Sequence, residues 1–236
     1  MKHFAPFALL AWVISLATLL ACTGVQQPVK QDTAADIKTQ TPKTLAIFPF
    51  ENNSVTDPEQ FMPLEKGLSA MLITDLTNNV NTLKVIERDK IQSLLKEIAL
   101  SQSGHVDQST AIKAGKILGA QATTFGSFMV LGPQVRIDAR IIKVETSEVL
   151  MAQSILGRRD DFINLERALA RKIAESLNAD FQAQQTAAKS DISAALYFSK
   201  GVNAFDRGDK TEAERWFKKC TDMDESYQDQ VKNITG

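Results

Sequence analysis

The chain has 236 residues and a formal net charge of −1. No basic surplus is available to neutralise phosphates, and no block of like charges occurs, so a nucleic-acid partner is not expected. The only two histidines, His3 and His105, exclude a multi-His metal site on inventory alone, and neither is placed for a His-based triad.

Phe4 to Ala21 is apolar apart from Ser15 and Thr18, and it follows Lys2 and His3. That is the pattern of a secretion signal over residues 1–21, with a retained membrane-spanning helix of near-minimal length as the other reading. Leu19-Leu20-Ala21-Cys22 favours the signal. It resembles the bacterial lipobox, in which cleavage leaves the cysteine, here Cys22, as a lipid-modified N-terminus; the plain alternative is a chance cysteine at a signal's end. Several acyl chains on one residue give lasting membrane attachment, where one is marginal. Thr23 stands where an Asp would resemble an inner-membrane retention signal, so the expected site is the periplasmic face of the outer membrane. Residues 22–43 are polar and without period, a tether spanning roughly 25 Å as a coil and about 70 Å stretched.

Leu45 to Phe50 is a continuous apolar run, expected to be a buried strand that finishes near Pro49, which has no N–H for the ladder. Glu51 to Asp57 reads as a loop. Leu64, Leu68, Met71, Leu72 and Leu76 mark a helix with a wide apolar face, closed by Asn78-Asn79. A short strand over Leu83 to Ile86 leads to Glu87 and Arg88 at a helix start, where Asp89 sits near the positive end of the helix dipole. Ile91, Leu94, Leu95 and Ile98 form that helix's apolar stripe. Ser103-Gly104 breaks the pattern, and Asp107 is positioned as the next N-cap. Ala111, Ala114, Gly115 and Leu118 then make a narrow face for close packing on a sheet. Gly119 ends the helix, and Ala122 to Val130 reads as a strand through Gly126.

A strand ending in Glu87-Arg88, a helix with a Leu-Leu pair, Ser-Gly, then Gly-Lys-Ile-Leu-Gly-Ala and a strand reaching Gly126-Ser127 resembles the curli-secretion lipoproteins of CsgG type, related to the TolB-N-like domain. The family-motif residues on this reading are Glu87, Arg88, Gly104, Gly115, Gly119 and Gly126. The resemblance covers about residues 44–183. It implies a periplasmic, lipid-anchored α/β domain that works by protein contacts and assembly, homo-oligomers included.

Beyond Gly126 the pattern changes to alternation. Val135, Ile137, Ala139 and Ile141 interleave with Arg136, Asp138 and Arg140, and Val149 to Leu156 returns after a turn. The fold expected is therefore α/β (α+β): a mixed five-stranded sheet flanked by helices, with an antiparallel meander and a closing helix from Phe162 to Phe181. The Arg136, Asp138, Arg140 face is either the solvated side of the sheet or, since domains of this family can form rings, an interface.

Residues 191–236 read as a small helical hairpin. Tyr197, Gly201, Ala213 and Phe217 fall where a tetratricopeptide repeat puts its aromatic and small residues, with Gly208-Asp209 at the turn. Lys200, Ala204, Cys220 and Glu225 depart from that pattern, so this resembles one degenerate repeat; an unrelated hairpin is the other reading. Its apolar face must rest on the closing helix, another subunit or a partner. Trp216 and Tyr197 are the partner-binding candidates, Phe217 the core residue. Cys220 stands at a small-residue packing position, expected buried and inert.

No nucleotide-binding loop, catalytic set or metal set emerges, and no cofactor or small-molecule substrate is implied. A carboxylate-only hydrolase is the residual enzymatic reading. Two non-enzymatic readings follow from the resemblance: an adaptor or scaffold with protein partners in the cell envelope, serving a curli, flagellar or peptidoglycan-synthase machine, or a curli-type secretion channel. The channel needs inserted hairpins with strands of about nine to eleven residues. At their expected places stand only Leu131-Gly132-Pro133 and Gly157 to Asp160, which favours the adaptor.

Overall fold

The computed structural model describes residues 40–101, 106–182 and 191–236. Two parallel crossovers and one meander build the sheet. Strand β1 (Thr44–Ile47) pairs in parallel with β3 (Lys84–Val85) on one side and β4 (Ala122–Leu131) on the other. β4, β5 (Gln134–Lys143) and β6 (Val149–Arg158) form the expected antiparallel meander, giving the order β3-β1-β4-β5-β6.

The sheet has six strands where the sequence pattern predicts five, because the first strand is interrupted. β2 (Glu51–Asn52) continues β1 along the same edge of β4. Four steps from Ile47 to Glu51 oppose three from Thr124 to Ser127, so one extra residue is accommodated around Pro49. Phe50 turns its N–H away from the ladder to the carbonyl of Glu65, at 3.0 Å. Pro49 thus ends one strand, as expected, but pairing resumes beyond it.

A helical turn, α1 (Pro58–Phe61), stands just after the segment read as loop, and α2 (Leu64–Asn79) follows it. α2 is buried nearly all round from Gly67 to Leu76, the mark of a central helix and not of one with a single apolar face. The sheet, α5 (Phe162–Ser176) and the C-terminal hairpin all pack against it. α3 (Arg88–Ser101) packs on β1, and α4 (Gln108–Ile117) packs on β4. Asp107 caps α4 by accepting from Thr110 N–H at 2.8 Å. A Cβ on Gly115 would sit 2.5 Å from Thr123 Cγ2 and 2.8 Å from Val144 Cγ2, so the small-residue face does bring helix and sheet into close approach. Gly119 ends the helix with φ +68°.

The closing helix is shorter than the apolar seam suggests. Asn178, at φ 51°, turns the chain out of the helix after Ser176, and Phe181 instead packs under the Arg171 guanidinium, 5.6 Å from its ring centre.

The hairpin is α6 (Ile192–Asp206) and α7 (Lys210–Met223), and a further short helix follows it, α8 (Gln228–Thr235). It rests chiefly on α2, not on the closing helix. Gly67 of α2 is the point of closest approach: a Cβ there would lie 1.7 Å from Ser199 Oγ. α8 is pinned to α2 by Gln230 Nε2 donating to Asp75 Oδ1 at 2.6 Å and Asn233 Nδ2 donating to Thr74 Oγ1 at 3.1 Å.

Beside that latch is a buried acidic pair. Glu166 of α5 is 0% exposed, and Asp75 forms an ion pair with Arg167 at 3.4 Å. Burial, and then the facing Asp75 carboxylate, push the Glu166 carboxyl well above its ordinary range; burial also raises Asp75, against the pull of Arg167. A carboxyl whose folded pKa is raised contributes stability that is complete below its unfolded pKa and is lost as pH rises through the folded value. The protein is therefore expected to lose stability from about pH 5 upward, by up to about 1.4 kcal/mol per pH unit for one proton. Glu166→Gln should flatten that slope and raise the melting temperature more at pH 8 than at pH 5, as followed by thermal unfolding across pH.

Candidate functional site

The C-terminal hairpin has an inner and an outer set of aromatic residues. Asp191 and Asp209 fix the two helix starts, accepting from Ser193 N–H at 2.8 Å and Glu212 N–H at 2.9 Å. Gly208 makes the turn between them at φ +82°. Inside, Phe198 lies 5.9 Å from both Phe217 and Tyr227, ring centre to ring centre, and all three are buried. Gly201 makes room for this, since a Cβ there would meet the Phe217 ring at 2.4 Å. The thiol of Cys220 is buried in the same layer and is pushed up to about 12 by desolvation, which leaves it unreactive.

Trp216 and Tyr197 point the other way. One helical step separates Trp216 from Phe217, about 100° around the axis, so the indole emerges where the phenyl ring enters. Tyr197 and Trp216 are half-buried and stacked, with ring centres 5.7 Å apart and planes 17° apart. Lys200 Nζ lies 4.8 Å from the indole centre, Lys219 Nζ 4.7 Å and the Arg215 guanidinium 5.1 Å. Both lysines also reach the Tyr197 ring, at 6.0 and 5.9 Å. Among the described residues a single acid serves the group. Glu212 accepts from Trp216 Nε1 at 3.2 Å and from Arg207 at 2.8 Å, and stands 3.7 Å from Arg215. Among the described residues no carboxylate pairs with Lys200 or Lys219. The result is an aromatic platform with a cationic rim, in which Lys200 and Lys219 lack a carboxylate partner among the described residues.

The sequence pattern picks out Trp216 and Tyr197 but not the lysines. Their signal is the i, i+3 spacing, Tyr197 to Lys200 and Trp216 to Lys219, which puts each cation over the ring on its own helix.

The family-motif residues fall elsewhere, on the α/β part. Gly115, Gly119 and Gly126 serve close packing and a helix end; a Cβ on Gly126 would collide with the Asp138 carbonyl at 2.0 Å. Glu87 is exposed and pairs with Lys90 at 3.1 Å. Arg88 is 8% exposed and forms an ion pair with Asp206, itself 7% exposed, at the last turn of α6. Lys66 reaches the other Asp206 oxygen at 3.4 Å. This lock joins the strand-to-helix junction to the hairpin, and Asp206 and Lys66 carried no sequence signal. Cys22 and Gly104 lie outside the described residues.

On the sheet face opposite α5, Arg136 holds Asp138 in a bidentate pair at 2.7–3.0 Å, and Ser154 donates to the same carboxylate. The Arg136 bonds and that hydroxyl keep Asp138 below its ordinary range. The pair is satisfied within the sheet, in keeping with a solvated face. No group of three or more metal-ligating side chains occurs among the described residues.

Residues 28–136 match the family described as the curli production assembly/transport component CsgG. Over this segment the chain is similar to the CsgG family. The hairpin and its platform lie outside the CsgG-family match. No curated protein matches the sequence. Similar solved structures include lipoprotein GNA1162 from Neisseria meningitidis, 18% identical over 50% of this chain and 81% of that one, with a TM-score of 0.39. The LpoB C-terminal domain from Salmonella enterica is 16% identical, with 50% and 84% covered and a TM-score of 0.37. TolB from Acinetobacter baumannii is 13% identical, with 59% and 30% covered and a TM-score of 0.38.

Proposed function

We propose that the protein is a non-enzymatic lipoprotein of the outer membrane, facing the periplasm, that acts as an adaptor in assembling a cell-envelope or secretion machine. Cys22 supplies the lipid anchor and residues 22–43 the tether. The CsgG-family α/β domain is the scaffold, through which copies associate, and the hairpin presents its outer face to a protein partner. The observation that carries this reading is the stacked Tyr197–Trp216 pair, held outward on a hairpin that is locked to α2 and α3. A structural brace needs the inner aromatics only.

The adaptor is favoured over a channel by the connections. β4 and β5 are joined by Gly132-Pro133 alone, and β6 runs directly into a 3₁₀ turn at Arg159–Asp161. Neither place holds a hairpin long enough to cross a bilayer.

The anchor is tested by Cys22→Ser. The natural protein is expected to fractionate with the outer membrane and to carry acyl mass on its N-terminal peptide. The variant should lose both. A natural protein without acyl mass would refute the anchor.

A further inference from the structure

We propose that the Tyr197–Trp216 platform takes an acidic peptide segment, one carrying at least two carboxylates beside an aromatic or apolar side chain. This rests on the reading of the platform as the partner site and names the chemistry of what binds there. Two ammonium groups, Lys200 and Lys219, lie within 5 Å of the indole centre, and neither has a carboxylate partner among the described residues. Arg215 adds a third positive charge, shared with Glu212 at 3.7 Å. Cations gathered around one indole without carboxylate partners give a local positive potential, and a ligand that supplies the carboxylates complements it. The rings give such a ligand a rigid amphipathic contact surface, with little side-chain freedom left to lose.

A narrow acidic strand or turn fits better than an anionic membrane. Glu214 is exposed on the same helix, and Lys218 is already paired with Asp222 at 2.8 Å. On α7 the positive charge is therefore confined to the Trp216 face, too small for the broad basic surface that lipid headgroups need.

The test is a selection of random dodecapeptides displayed on phage against the full lipidated protein in neutral-lipid nanodiscs. Enriched peptides should carry a net charge of −2 or lower together with an aromatic residue. Lys200→Gln/Lys219→Gln, with an unchanged melting temperature, should weaken a selected peptide at least tenfold, and so should raising salt from 50 to 500 mM. Selected peptides without acidic bias that are lost on Trp216→Ala would overturn this inference while leaving the partner site standing. An equal affinity in the double-lysine variant, or no enrichment at all, would also overturn it. Binding of phosphatidylglycerol vesicles that is lost in that variant would assign the rim to a membrane instead.

Discussion

Phe217→Ala should destabilise the C-terminal hairpin by about 3–5 kcal/mol, the usual cost of emptying a buried aromatic position. Phe217 is 3% exposed, packs against Phe198, and fills the space that Gly201 leaves open. The hairpin covers α2, so the loss should be read as a lower melting temperature of the whole domain and as early proteolysis within residues 191–236. Trp216→Ala one position earlier should do neither. It removes a half-buried ring that stacks on Tyr197, donates to Glu212 and is approached by three cations, and it leaves the inner layer intact. If Trp216→Ala unfolds the segment as badly as Phe217→Ala, the outer pair is structural and the partner reading fails.

Asp206→Ala is expected to cost a similar amount, about 3–5 kcal/mol, by a different route. It leaves the Arg88 guanidinium buried without its counter-charge, and the desolvation penalty of a buried ion is then uncompensated. Asp89, on the surface, also touches Arg88 at 3.1 Å but cannot follow it inward. Replacing both members with apolar residues of similar size, Arg88→Met with Asp206→Leu, should recover most of the stability lost by Asp206→Ala alone. Denaturant unfolding of the single and double variants gives the comparison. A double variant as unstable as the single one would show that the lock contributes through more than charge pairing.

The parts of this fold written in periodicity were legible. The apolar run ending at Pro49, the small face of α4 with its Asp107 cap and Gly119 stop, and the alternation through β5 each follow from spacing within one element. What stayed hidden depends on contacts between elements far apart in the chain. The apolar positions of α2 suggest one face, yet Ser69, Thr74 and Asp75 are also buried because α6 and α8 cover them. Arg88 was recognisable as part of a motif, but its partner Asp206 is 118 residues away. The burial of Glu166 had no local signature either, since a glutamate in an amphipathic helix ordinarily faces water. In the candidate site, the aromatic pair stood out by residue type, and the lysines became meaningful only once both helices were seen to bring them to one indole.

The central claim, that the outer face of the hairpin meets a protein partner in the cell envelope, is tested most directly by photo-crosslinking in the cell. A photoreactive phenylalanine analogue is placed at Trp216 and, as a control, at exposed Lys116 on α4. A discrete adduct of higher mass is expected from position 216, absent from position 116 and lost when Cys22→Ser releases the protein from the membrane. Equal labelling at the two positions, or none at 216 in protein that is correctly anchored, would contradict it.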